Sequence, residues 1–108
     1  MSVLTRVATP FVRWFGWANY VRAKRLAASG HFDEAIPHFE AALNWYLTGG
    51  EDHPYVAACY IQLGAAHAKL GRTGAAKRAY TSALHIIERT AGPDHPKAYE
   101  VRRYIRDR

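Results

Sequence analysis

At 108 residues and 12.2 kDa the chain holds one domain and no second, and a composition 49% hydrophobic and 22% charged excludes disorder over most of its length. A single cysteine, Cys59, excludes a disulfide scaffold and a cysteine zinc cluster; no run of about 18 apolar residues can span a bilayer, and Arg6 and Arg13 break the stretch where a secretory signal needs an unbroken apolar segment, which points to a cytoplasmic chain. The net charge of +6 is segregated: residues 1–32 carry five cations and no carboxylate, residues 33–68 five carboxylates and no Lys or Arg, and residues 69–108 ten cations against four carboxylates, an order that can steer association or simply solvate the surface.

Helix signals follow one another along the chain. Thr9-Pro10 opens a first helix, a capping hydroxyl before the residue whose missing N–H costs nothing at a helix start; it runs to about Ser29, where Gly30 supplies a left-handed end. From Phe32 to about Leu47 the apolar residues Phe32, Ile36, Phe39, Leu43 and Tyr46 recur three and four apart, the period of a second helix. Pro37 sits early enough to remove at most one ladder bond, and Gly49-Gly50 ends the element. Pro54 opens a third helix that closes at Leu70-Gly71, Thr73 caps a fourth running to about Arg89, and Pro93 and Pro96 precede a short fifth from Lys97 to Arg106. No strand pattern occurs. The expected architecture is all-α, five helices in antiparallel pairs.

The chain repeats itself. A shift of 41 residues lays Gly30 on Gly71, Ala35 on Ala76, Phe39 on Tyr80, Ala42 on Ala83 and Leu43 on Leu84; a shift of 42 lays Thr48–Pro54 on Thr90–Pro96 with five of seven positions identical. A period of 20–50 residues means stacked supersecondary units, here about 10–50 and 51–91, with a terminal helix over about 96–107 inside one domain, 1–108. Tyr60-x2-Leu63-Gly64-x2-His67 followed by Ala76-x3-Tyr80 and Ala83 resembles the tetratricopeptide signature, in which small residues let two helices approach and large ones fill the space around the contact. The longer period and the Gly-x-Asp-His-Pro joint resemble the roughly 42-residue variant of kinesin light chains. The opening helix of the first unit matches less well, with Asn19, Arg22, Ala23 and Leu26 where Tyr60, Leu63, Gly64 and His67 stand later.

The resemblance implies an antiparallel helix-pair solenoid of about two repeats plus a capping helix, in which the first helix of each pair lines a groove for a partner segment. Carried onto this chain, the groove positions are Trp17, Tyr20 and Lys24, then Ala58, Ile61, Gln62, Ala65 and Lys69, with Arg103 near the end. The family's clamp for a C-terminal carboxylate uses Lys and Asn; Tyr20, Lys24 and Gln62 stand at those positions, a departure that speaks against chaperone-tail binding. A groove both aromatic and basic implies a protein partner with apolar anchors and acidic flanks.

The residues themselves offer no catalytic constellation: no phosphate loop, no nucleophile elbow, no repeated Cys-x-x-Cys. His53 and His95 are explained as repeat joints, His67 as a packing position, and Cys59 as a small apolar residue. Glu34 and His38 lie four apart but lack a third ligand. No metal, cofactor or small-molecule substrate is expected. Arg102, Arg103, Arg106 and Arg108 with Tyr99 and Tyr104 could grip phosphates, yet no nucleic-acid fold signature accompanies them, and cations suit a helix C-terminus and a solubilising cap. The aromatic cluster Phe11, Trp14, Phe15, Trp17 and Tyr20 is different. Its members point several ways around one helix, so a single neighbouring helix cannot bury them all. Flanked by Arg13 and other cations, Phe11, Trp14 and Phe15 form a candidate docking surface for an acidic protein or a membrane face. Two readings result: a non-catalytic interaction module with a partner-binding groove, or a structural subunit held on a membrane face or in a larger complex through its first helix.

Overall fold

A computed structural model of the chain describes the backbone of residues 3–107 and the side chains of residues 14–107. Five α-helices follow one another: α1 (Val3–Ala28), α2 (Phe32–Leu47), α3 (Pro54–Lys69), α4 (Thr73–Ala91) and α5 (Pro96–Arg106). Among the described residues there is no strand. The principal packing runs between consecutive helices, which makes an antiparallel helix-pair solenoid of α1–α2 and α3–α4 closed by α5.

The repeat is visible in how the elements end. After α1 the His31 N–H reaches the Leu26 carbonyl at 2.9 Å and the Gly30 N–H reaches Ala27 at 3.0 Å; after α3 the Arg72 N–H reaches His67 at 2.9 Å and the Gly71 N–H reaches Ala68 at 3.0 Å. Both are Schellman ends, which need a left-handed residue, and glycine supplies it at φ 82° and 77°. The Asp-His-Pro joints are copies too. His53 caps α3 by accepting the Tyr55 N–H on Nδ1 at 3.2 Å, and His95 caps α5 by accepting the Lys97 N–H on Nδ1 at 3.0 Å. Pro54 and Pro96 then occupy N1, where no N–H is required.

Two boundaries depart from the sequence reading. The first helix starts at Val3, so Thr9-Pro10 lies within it rather than opening it. A proline there frees one carbonyl, while the turns on either side keep propagating at one bond per residue. Thr73 is the first residue of α4 and Arg72 its N-cap, without a side-chain cap bond, because the Schellman end of α3 hands directly into the new helix.

The pairs close through small-on-large contacts. A Cβ on Gly64 would stand 2.7 Å from the Tyr80 ring, so only glycine lets α3 and α4 meet at that distance. A Cβ on Gly16 would stand 2.9 Å from the Tyr46 ring, the corresponding close approach of α1 and α2. Ala35, Ala42, Ala76 and Ala83 are fully buried. One apolar cluster joins α1, α2 and α3, centred on Phe39, Tyr46, Val56 and Leu63 and reached by Ile86; a second joins α3, α4 and α5 around Tyr80, Ile87, Ala98 and Val101. Cys59 lies in the first, and burial pushes its thiol up to about 12, leaving it protonated and inert.

Candidate functional site: an aromatic and basic cleft

Residues 17, 20, 21, 24, 25 and 28 recur at helical spacing and form one stripe of α1. With Tyr55 from the first turn of α3, Trp17, Tyr20, Val21, Lys24, Arg25 and Ala28 line a cleft of about 340 Å³. Trp17 is 53% exposed and Tyr55 43% exposed. Tyr20, half-buried between them, meets the Phe39 and Tyr55 rings edge-on, each at 5.8 Å between centroids. Tyr55 stacks in turn on buried Tyr46 at 4.9 Å, and Tyr46 on His53 at 4.9 Å. The rings are therefore held by packing that begins in the core.

Burial, helped by the proximity of Cys59 and Tyr55, raises the Tyr20 phenol above its ordinary value against a hydrogen bond with Gln62. Tyr20 thus keeps its proton at neutral pH. The Lys24 ammonium stands 5.8 Å from the Tyr20 ring centroid, within cation–π range. Among the described residues Lys24 and Arg25 are the charged ones of the wall, and no carboxylate lines it. Such a wall offers ring faces to an apolar side chain and cations to an acidic one.

The structure brings Trp17, Tyr20 and Lys24 into this cleft and joins Gln62 to it through Tyr20. Ala58 and Ala65 share the Gln62 face of α3 by spacing and are half-buried. Ile61 packs into the second core cluster and is a supporting residue rather than an open one. Lys69 and Arg103 are exposed but do not line the cleft. Tyr55 was not singled out by sequence reasoning; the signal available was its place directly after the capped Pro54, which points a ring back along the neighbouring repeat.

The docking candidates lie beyond the cleft wall, at the preceding turn of α1 and on α2. Trp14 is 59% exposed and stands edge-on to Phe15 at 5.0 Å, while Phe15, 38% exposed, stacks on Trp45 at 5.2 Å. Trp45, itself 37% exposed, completes the patch and was not anticipated. The side chains of Phe11 and Arg13 lie outside the described residues.

The remaining candidates have local roles. His38 Nδ1 lies 3.3 Å from Asn19 Oδ1, tying α2 to α1. His67 lines a second cleft with Glu40, Asn44, Tyr60 and Arg78. Burial and the nearby Arg72 lower its pKa, against Glu40 and with Arg78. Among the described residues no three His, Cys, Asp or Glu side chains converge as metal ligands, and no helix is long and apolar enough to cross a membrane.

The family model described as tetratricopeptide repeat matches residues 17–89. No curated protein and no solved structure shows a significant match to the chain.

Proposed function

The chain belongs to the tetratricopeptide repeat family, whose repeats mediate protein–protein interaction, and on that premise we propose that it is a non-catalytic adaptor or accessory subunit holding a partner segment in the α1–α3 cleft. The observation that carries the reading is the composition of that wall: exposed Trp17 and Tyr55, a half-buried Tyr20, and the cations Lys24 and Arg25 with no carboxylate among the described residues. The partner is a protein segment with an apolar anchor between the rings and acidic residues beside the cations. The inert, buried Cys59 suits a reducing cytoplasm.

An array of acidic peptides carrying a Leu or Phe anchor tests this against the wild type and a Lys24→Glu/Arg25→Glu variant. The expected result is selection of anchored acidic peptides and a loss of about tenfold or more in the variant, diminished by salt, with helical content and melting temperature unchanged. Equal binding by both proteins would overturn the reading.

A second reading is favoured by a separate observation, the exposed Trp14–Phe15–Trp45 patch beyond the cleft wall. It is an attachment of the chain, within a larger assembly or on a membrane face, through its first helix pair.

A further inference from the structure

The 41-residue shift assigns each residue of the first pair a counterpart in the second. Phe15, Asn19 and Arg22 on α1 correspond to Val56, Tyr60 and Leu63 on α3; Glu34, His38, Ala41 and Trp45 on α2 correspond to Ala75, Ala79, Ser82 and Ile86 on α4. In the second pair this is the stacking face. Val56, Leu63 and Ile86 are buried in the first core cluster, with Tyr60 and Ala79 packed against it. In the first pair the same face has no helix over it among the described residues, and Phe15, Arg22, Glu34 and Trp45 are all exposed.

The open face is ordered along its length. At one end Phe15 stacks on Trp45; in the middle Asn19 meets His38; toward the α1–α2 turn stand Arg22 and Glu34, neither in an ion pair among the described residues. Each level places one residue on α1 and its complement on α2. A two-fold axis lying in the interface and parallel to the helices sets α1 of one copy on α2 of the other while keeping each level opposite itself. Phe15 then faces the partner's Trp45, Asn19 the partner's His38, and Arg22 the partner's Glu34, each pairing occurring twice. A head-to-tail arrangement sets this face on α5 instead and forgoes the reciprocal pairing of Arg22 with Glu34.

We propose that this open stacking face joins a second copy of the chain in an isologous dimer, the Phe15–Trp45 stack at one end and reciprocal Arg22–Glu34 pairs at the other. The inference rests on the second reading above and names its occupant.

Sedimentation equilibrium of the full chain over a range of concentrations tests it. The expected result is a single monomer–dimer equilibrium reaching twice 12.2 kDa, abolished by Phe15→Glu/Trp45→Glu. Arg22→Glu alone and Glu34→Arg alone each raise the dissociation constant by about tenfold, and the two combined restore it, because the register sets one opposite the other. Growth beyond dimers, a dimer indifferent to the aromatic substitutions, or a combined variant no better than the singles would overturn the proposal. Co-sedimentation with phosphatidylserine–phosphatidylcholine vesicles separates the remaining failures. A monomer whose vesicle binding is lost in Phe15→Glu/Trp45→Glu overturns the dimer but retains the docking reading; a monomer without vesicle binding overturns the dimer and leaves the membrane form of that reading unsupported.

Discussion

The first helix pair closes through Gly16 under the Tyr46 ring and the second through Gly64 under the Tyr80 ring, and both pairs end their first helix on a left-handed glycine. Their stacking faces diverge. Val56, Leu63 and Ile86 are buried where the second pair meets the first, whereas Phe15, Arg22 and Trp45 at the same positions of the first pair remain open. The difference teaches that a repeat specifies how a helix pair closes on itself, while the chemistry of the stacking face depends on what lies next to it. The face without a neighbour among the described residues is where aromatic and charged residues are free to serve association.

The largest effect expected from this contrast comes from truncating equivalent residues on the two faces. Ile86→Ala removes a buried side chain from the first core cluster and should cost about 2–5 kcal/mol. Its counterpart Trp45→Ala removes a larger side chain, yet should cost only about 0.5–1.5 kcal/mol, the worth of one aromatic pair, when measured on the monomer at low concentration. Denaturant unfolding compares them directly, and equal losses would mean that the first face is covered in the monomer after all.

Next in size are the close contacts. Gly64→Leu must displace the buried Tyr80 ring and should lose about 1–3 kcal/mol or more, with Ala76→Leu behaving likewise. Gly16→Leu meets Tyr46 at a slightly greater distance and should fall at the lower end of that range. A Gly16→Leu variant that melts with the wild type would show that α1 does not depend on a close approach at Gly16 to pack on α2.

Why Gly64 was legible in the sequence and Gly16 was not follows from the same geometry. Gly64, Ala76 and Tyr80 fall at positions of a repeating pattern, because steric necessity admits few residue types where two helices touch. Gly16 lies two turns earlier on its helix than the position matching Gly64, and its own counterpart is Ala57, so no internal copy marks it. The helix ends were legible for a related reason: a left-handed residue and a proline at N1 each tolerate few alternatives. The start of α1 was not, since Thr9-Pro10 carries a start signal that the flanking helix overrides. In the candidate site, Trp17, Tyr20 and Lys24 were placed by the groove positions that the tetratricopeptide resemblance implies. Tyr55 joins them only through the packing of α3 beside α1, and Trp45 joins Phe15 only across the pair. Unlike the small-on-large contacts, these recur in no second repeat and so leave no periodic trace.

The two Schellman ends offer a finer comparison. Gly30→Ala and Gly71→Ala each force an alanine into a left-handed conformation, at about 1–2 kcal/mol, with open space around the added methyl in both cases. Thermal melts of the two variants should agree closely. A markedly larger loss at Gly71 would show that the second pair depends more on its turn than the first.

The smallest effect separates the pairs by pH. His67 stands where the first pair has Leu26, and burial, Arg72 and Arg78 together hold its pKa below the ordinary imidazole value of 6.5 against the pull of Glu40. Between that lowered value and 6.5 the unfolded chain binds more protons than the folded one, so stability falls as the pH drops through this window. Above it both states are neutral at this side chain and the contribution is constant; below it both are protonated and the loss is complete. His67→Leu gives the second pair the residue of the first and removes the titration. The melting temperature of the wild type should therefore decline more than that of the variant between about pH 7 and pH 5. Since both proteins share the other five histidines, the difference between the two curves belongs to His67 alone. Parallel curves would mean that the imidazole reaches water freely in the folded chain through the cleft it lines with Glu40 and Arg78.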